Sequence, residues 1–322
     1  MSYSSFDLFD QATRIVVFGK DGQVGRSLQN TFKNFHASVV FLGRADCDLS
    51  NQASVIDVLN RYQPHIIINA SAYTAVDRAE SERDLAFAIN CDAVRLMAEY
   101  VANISNGILL HFSTDYVYSG LKQDRYLESD ITDPASVYGQ SKLAGEIEIK
   151  SAFDKASHAK ESLSRYYILR TSWVYGDGDN FIRTMLRLAA EKDVLKVVSD
   201  QCGAPSSADW LALLAIQMVG SRVDSGIYHA VPDGQTSWHG LAMFVIELAK
   251  EFGEGVEVRS ENILPINSSE YPLIAPRPKN SRMDNTRLKQ VLSEMTFTDQ
   301  FPSWQDQVTR YVQEFVRDSL NS

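Results

Sequence analysis

The stretch that most restricts how this chain can fold is Gly19-Lys20-Asp21-Gly22-Gln23-Val24-Gly25, because it joins two segments of opposite character. Ahead of it runs Ile15-Val16-Val17-Phe18, the continuous apolar pattern of a parallel strand buried on both faces. Behind it, Gly22 to Asn34 is compatible with a helix. Glycines at this spacing permit a tight turn. They also let the backbone approach an anion at the helix N-terminus, where unpaired N–H groups and the dipole favour negative charge. A ligand-free glycine turn is the plainer reading. The position after the first strand of a repeating pattern points instead to a dinucleotide pyrophosphate.

That pattern continues. Ser38 to Leu42, His65 to Ala70, Ile108 to Phe112 and Tyr166 to Leu169 read as further strands. Between them, Asn51 to Arg61 and Arg83 to Ile104 read as helices, and another begins at Asp133-Pro134, since proline is tolerated in a first turn. Alternation of this kind predicts an α/β fold, a Rossmann-like doubly wound parallel sheet. Beyond Trp173 the rhythm loosens. Helical stretches (181–191, 208–219, 241–252, 304–316) mix with short strand-like pieces (195–198, 227–230) and a proline-rich segment from 264 to 283. The expected domains are a tail (1–13), a dinucleotide-binding domain (14–172) and a smaller, mixed C-terminal substrate domain (173–322), with the chain crossing back to the sheet.

A net charge of −10 with no Lys/Arg block argues against nucleic acid or an anionic membrane as partner. A small anionic ligand would need a local basic cluster. Three scattered cysteines, Cys47, Cys91 and Cys202, fit reduced thiols, and the histidines show no metal-ligand spacing, so no metal is expected. The first residues carry no signal-peptide pattern and no apolar run is long enough to span a bilayer. The expected location is the cytoplasm.

Three further places carry chemistry. The second strand ends at Gly43-Arg44, with no acid until Asp46. An arginine there accommodates a ribose 2′-phosphate, so NADPH is the expected cofactor and NADH the alternative, with Lys20 as a helper. Ser113-Thr114-Asp115-Tyr116 follows the fourth strand, where ligands bind in open α/β sheets. A hydroxyl there can hydrogen-bond a carbonyl, although Ser-Thr-Asp is also a common turn cap. Tyr138 and Lys142 stand four apart, on one face of a helix. A lysine charge beside a phenol lowers its pKa and makes it a proton donor to a carbonyl. With fourteen tyrosines such spacing also arises by chance, and Tyr118 to Lys122 is a second match. That pair flanks Ser119-Gly120 in a loop, where the spacing gives no shared face.

The glycine motif, Thr114 and Tyr138-x-x-x-Lys142 together resemble the extended short-chain dehydrogenase/reductases, and more closely the dTDP-4-dehydrorhamnose reductase family. The carrying segments include 17–25, 69–77, 113–118, 137–146, 170–175, 200–205 and 277–282. The resemblance implies NADPH-dependent reduction of a dTDP-sugar C4 ketone to dTDP-L-rhamnose, with Thr114, Tyr138 and Lys142 catalytic. It implies a cofactor bed of Gly19, Gly22, Gln23, Val24, Gly25, Arg44, Asp48, Leu49, Ala70, Ser71 and Ala72, together with Tyr138 and Lys142. It places Ser113, Thr114, Asp115, Trp173, Arg277 and Asn280 on the substrate, with Trp173 against the sugar ring. Arg277, Lys279 and Arg282 become the basic cluster for the diphosphate. For Asn90, a cofactor contact and a buried amide satisfied by backbone are equal alternatives. One departure stands out: Ser27 occupies the place of a Glu that holds a dimer-bridging metal in some members, so a homodimer, if formed, is not expected to be metal-bridged. Two other readings keep the same residues, namely a reductase of another nucleotide 4-ketosugar, such as one giving 6-deoxy-talose, and a non-catalytic NADP-binding subunit like the methionine adenosyltransferase β-subunit.

Overall fold

In chain order the first half runs β1 (Arg14–Phe18), α1 (Gln23–Phe32), β2 (Ser38–Leu42), α2 (Gln52–Tyr62), β3 (Ile66–Asn69), α3 (Val76–Ala79), α4 (Arg83–Phe87), α5 (Ala93–Ala102), β4 (Ile108–Thr114), α6 (Val137–Ala159) and β5 (Arg165–Thr171). The second half adds β6 (Val174–Tyr175), α7 (Phe181–Glu191), β7 (Leu195–Val198), β8 (Cys202–Gly203), β9 (Ser206–Ser207), α8 (Ala208–Ser221), β10 (Gly226–His229), β11 (Thr236–Ser237), α9 (Trp238–Phe252), β12 (Ile263–Ile266), α10 (Thr286–Ser293) and α11 (Trp304–Leu320). The computed structural model describes every residue except 1–8, 10–11, 160–162, 222, 254–259, 294–300 and 321–322. Within the segment read as a tail, Phe9 is buried and meets Phe32 with ring centroids 6.2 Å apart. Its neighbours 1–8, 10 and 11 lie outside the described residues.

The central sheet has the order β2-β1-β3-β4-β5-β10, parallel throughout. This is the doubly wound, Rossmann-like arrangement. From β1 the chain first moves outward to β2, then returns past β1 to β3, so the order reverses between β1 and β3. Helices leave the two sides of that point in opposite directions and a crevice opens beyond the strand ends. The register lines up those ends: Phe18 faces Leu42 on one side and Asn69 on the other, and Thr114 faces Thr171.

Side chains alternate across the sheet, so each apolar run feeds two cores. Ile15, Val17, Ile68, Leu110 and Leu169 pack on one face with Leu28 and Phe32 of α1 and Leu214 and Met218 of α8. Val16, Phe18, Ile67, Leu109 and Ile168 pack on the other with Val55 of α2, Met97 and Val101 of α5, and Ile149 and Phe153 of α6. Each such side chain contributes about 1.5–3 kcal/mol when fully buried. The second half is thus woven into the sheet, through α8 on one face and β10 at the edge. Its own core joins α7, α9 and α11 through Ile182, Leu186, Val245, Val308 and Val312.

Two element boundaries differ from the sequence expectation. The helix read from Arg83 to Ile104 is interrupted by a π turn over Ala88–Asp92. The turn points Asn90 inward, where its amide meets Tyr73 N, Tyr73 O and Ser141 Oγ at 2.8, 3.1 and 3.0 Å. Asn90 is therefore a buried amide satisfied chiefly by backbone. The helix expected at Pro134 begins instead at Val137, because Ser136 caps it: Gly139 N donates to Ser136 Oγ at 3.1 Å, and Val137 N donates to Glu80 at 2.9 Å.

Candidate active site

The glycine loop is shaped by close approach. Gly19 has φ +90, and a Cβ there would lie 2.7 Å from the Ala70 carbonyl and Ser71 N. A Cβ on Gly25 would lie 2.0 Å from Gly19 O, so Gly25 sets how tightly α1 sits on the loop. Gly22 is the N-cap of α1 and offers no side-chain cap, which leaves the first-turn N–H groups facing the crevice. That crevice is a cleft of about 790 Å³ beyond the ends of β1, β3, β4 and β5.

The cleft gathers residues the sequence singled out from widely separated places. Gly19, Gly22, Gln23 and Val24 line it from the loop, Arg44, Asp48 and Leu49 from beyond β2, and Ala70, Ser71 and Ala72 from beyond β3. Ser113, Thr114 and Asp115 line it from the end of β4, Tyr138 and Lys142 from α6, and Trp173 from beyond β5. Lys20 is not on this wall. Its Nζ pairs with Asp46 at 2.5 Å, and Asp46 also accepts from Gly43 N at 2.8 Å, which braces the turn that presents Arg44.

Thr114 ends β4 and caps a short 3-10 turn. Tyr116 N donates to its Oγ1 at 3.2 Å, and that hydroxyl donates to Asp115 Oδ1 at 3.0 Å. The Thr114 hydroxyl also interacts with the Tyr138 phenol. Burial raises Tyr138 to about 12; the Thr114 interaction opposes the rise and the Asp115 charge adds to it. Burial also raises Asp115 to about 6, and its Oδ2 is buried without a partner. The sequence expectation that Lys142 lowers the Tyr138 pKa is not met in this arrangement. The lysine is buried with Nζ 2.7 Å from Phe112 O and 3.0 Å from His111 Nε2, and burial brings it down to about 7 against the pull of Glu146.

Two residues expected on the substrate have protein partners in this arrangement, and Arg277 stands near the cleft residue Tyr116. Arg277 donates to Asp77 Oδ2 at 2.7 Å and to Ala275 O at 2.9 Å, a clasp between the proline-rich segment and α3. Asn280 is buried and spends its amide on Lys122 O, Asp124 O and the Arg282 backbone. Ser113 reaches the wall, but its hydroxyl donates to Glu146 at 2.5 Å. Asp77 could not be anticipated as the partner of Arg277, since 200 residues separate them.

The family model described as "RmlD substrate binding domain" matches residues 13–317. A dTDP-4-dehydrorhamnose reductase of Escherichia coli (strain K12) is 39% identical over 308 residues, 93% of this chain and 97% of that one. The chain belongs to the dTDP-4-dehydrorhamnose reductase family. Among solved structures, the Clostridium acetobutylicum member superimposes with a TM-score of 0.82 at 32% identity, covering 94% of this chain and 99% of that one. The Bacillus anthracis member, solved in complex with NADP, gives a TM-score of 0.79 at 32% identity and the same coverage.

For a member of this family, several cleft residues escaped sequence reasoning. Tyr73 and Arg26 also line the wall, and Tyr116, already marked within the strand-end motif, meets Tyr138 edge-on at 5.4 Å. Trp238, remote in sequence, stacks on Trp173 with centroids 3.7 Å apart. Gly203 makes room for that stack, since a Cβ there would touch the Trp173 ring at 2.7 Å. Trp173 itself has φ +49, an unusual conformation for a bulky residue. No local signal in the sequence marks this conformation. Among the described residues no helix is long and apolar enough to cross a membrane.

Proposed function

We propose that this protein is an NADPH-dependent reductase of dTDP-4-dehydrorhamnose, converting the C4 ketone to the hydroxyl of dTDP-L-rhamnose. The observation that carries the reading is that Thr114 at the end of β4 and Tyr138 on α6 line the same cleft as the glycine loop. The residues fit a dinucleotide. The first turn of α1 is uncapped, Gly19 and Gly25 admit no Cβ, and Gln23 Oε1 is buried without a partner beside them. Arg44 is exposed on the cleft wall, suited to a ribose 2′-phosphate. When bound, the nicotinamide supplies the hydride.

The chain's own residues supply the rest. Thr114 and Tyr138 hold the ketone oxygen between two hydroxyls, and Tyr138 gives its proton to that oxygen as charge develops on it. The phenolate left behind is reprotonated from solvent. Lys142 lies one helical turn away, close enough for its Nζ to serve the ribose side of the cleft. The Trp173–Trp238 stack offers a flat apolar wall for a sugar ring. Cytoplasmic location and a dTDP-sugar as the small-molecule partner follow from this reading.

The test mixes protein, NADPH and the dTDP-4-keto sugar, follows nicotinamide absorbance and identifies the sugar formed. Loss of absorbance with dTDP-L-rhamnose as product is expected. A 6-deoxy-talose product would reassign the substrate face, and NADPH binding without turnover would favour the regulatory-subunit reading.

A further inference from the structure

Behind Lys142 stands a buried polar chain that the proposed reaction does not use. His111 on β4 and Asn69 on β3 are register partners, both essentially without solvent exposure. Ser71 N lies 3.1 Å from Asn69 Oδ1, and Ser71 Oγ lies 2.5 Å from the same atom. A backbone N–H can only donate, so the oxygen of the Asn69 amide faces Ser71 and its NH₂ faces His111. Asn69 Nδ2 is 3.0 Å from His111 Nδ1, which must therefore accept. Burial holds His111 well below its ordinary value, so the ring is neutral and carries one proton, on Nε2. That Nε2–H points at Lys142 Nζ, 3.0 Å away. Only an uncharged amine has a lone pair to receive it, and such an amine can still donate to Phe112 O at 2.7 Å.

We propose that His111, its tautomer set by Asn69, is a positioning residue that holds Lys142 as a neutral amine, so that Lys142 gains a proton only by giving up the His111 bond. A hydrogen bond made to the neutral form of a base disfavours its charged form. The other groups around Lys142 agree with this. Glu146, one turn along α6, is the charge that pulls the lysine toward protonation. Its carboxylate is already occupied by Arg170 of β5 at 2.6 and 3.0 Å and by Ser113 at 2.5 Å. Tyr138 on α6 and Asp115 after β4 face the cleft side and interact with Thr114. On the π turn packed against α6, Cys91 feels Asp92, Glu148 and Arg95 rather than Lys142. Burial brings Lys142 down to about 7, which acts in the same direction. The lysine is thereby poised to change charge when a ligand hydroxyl draws Nζ away from His111, a consequence that rests on the proposed reductase reading.

The deciding measurement is nitrogen-15 NMR of the histidine rings in the free full-length protein, with His111 assigned by through-space contacts to Asn69. The expected result is a protonated Nε2 and a bare Nδ1. A protonated Nδ1 would overturn the proposal. A second measurement uses Asn69→Asp, whose carboxylate can only accept. It turns the tautomer around, leaves Nε2 as an acceptor and favours the ammonium. The carbon-13 signal of Lys142 Cε in the free protein should then titrate at least one pH unit higher than in wild type. A shifted tautomer with an unmoved lysine midpoint would mean His111 is only structural, and the proposal fails. If Asn69→Asp does not fold, the wild-type ring spectrum still decides. Neither measurement needs substrate or cofactor, so a missing reductase activity leaves them unaffected. In an active enzyme the matching limb of the kcat–pH profile should move with the lysine midpoint.

Discussion

The chain holds two tyrosines that each stand four residues before a lysine, and the fold treats them in opposite ways. The Tyr118 hydroxyl is fully engaged: it accepts from Arg170 Nη1 at 2.6 Å, and its single hydrogen lies between His229 Nε2 at 2.7 Å and Leu127 O at 3.0 Å. Its lysine, Lys122, points elsewhere and pairs with Asp130. Around Tyr118 run the Glu146–Arg170 ion pair and the His229 bond to Asp284 O, a network that ties β5 and β10 to the loops above them. Tyr138 sits in the reverse situation. Its phenol has Thr114, its neighbour Asp115 keeps an unpartnered buried oxygen, and its lysine is held at the edge of protonation. A satisfied buried network stiffens a fold, whereas an incompletely satisfied one costs stability and persists where chemistry uses it. The two tyrosines separate structure from function within one motif.

Exchanging their hydroxyls breaks the comparison most sharply. Tyr138→Phe should lower kcat by about 10²–10⁴-fold while leaving the folded state intact, as measured by nicotinamide oxidation and thermal melting. Tyr118→Phe should do the reverse, keeping the rate but destabilising by about 1–3 kcal/mol, because a guanidinium hydrogen loses its buried acceptor. Equal rate losses in both variants would erase the distinction. Next in size, Glu146→Ala strands the Arg170 charge in a site with 3% side-chain exposure. Denaturant unfolding should show a loss of about 3–5 kcal/mol.

The cleft side should respond with the opposite sign. Lys142 titrates at about 7 in the fold against 10.5 ordinarily. Between those values the unfolded chain holds a proton that the native chain does not, so stability rises as pH climbs through that window. Lys142→Met removes this burden, and its unfolding free energy at pH 7 should exceed wild type by about 2–4 kcal/mol, with activity lost. Asp115 gives a smaller effect. Its carboxyl is raised from 3.8 to about 6, so the native chain holds the extra proton between those values and stability falls as pH rises through them. Asp115→Asn should flatten that fall and add about 1–3 kcal/mol at pH 7. A loss of stability in either variant would show that the cleft groups are structural after all.

Much of the sheet and cleft was legible because it depends on local pattern. Ile15 to Phe18 alternate between two cores, and Gly19 and Gly25 stand where any Cβ collides with backbone. Thr114, Tyr138 and Lys142 were marked by where they fall relative to strand ends and a helix. What could not be read were partners. Arg277 looks like a phosphate ligand in a basic run, yet Asp77 from the other half of the chain takes its guanidinium. Ser136 rather than Pro134 starts α6, because the cap depends on a hydroxyl geometry and on Glu80 arriving from elsewhere. Asn90 looks like one residue of a long helix until the π turn directs it at Tyr73.

The sequence alone determined the doubly wound sheet, the place of the crevice and the residue types that would line it. These follow from periodicity and from glycine's missing side chain, both properties of a short stretch of chain. Tertiary structure alone decided the surroundings of Lys142, the conformation of Trp173 and the partners of the buried polar groups. Those depend on which atoms from β3, β4, β5 and α6 come within 3 Å of one another, and a hydrogen bond has a direction only when both ends are in place.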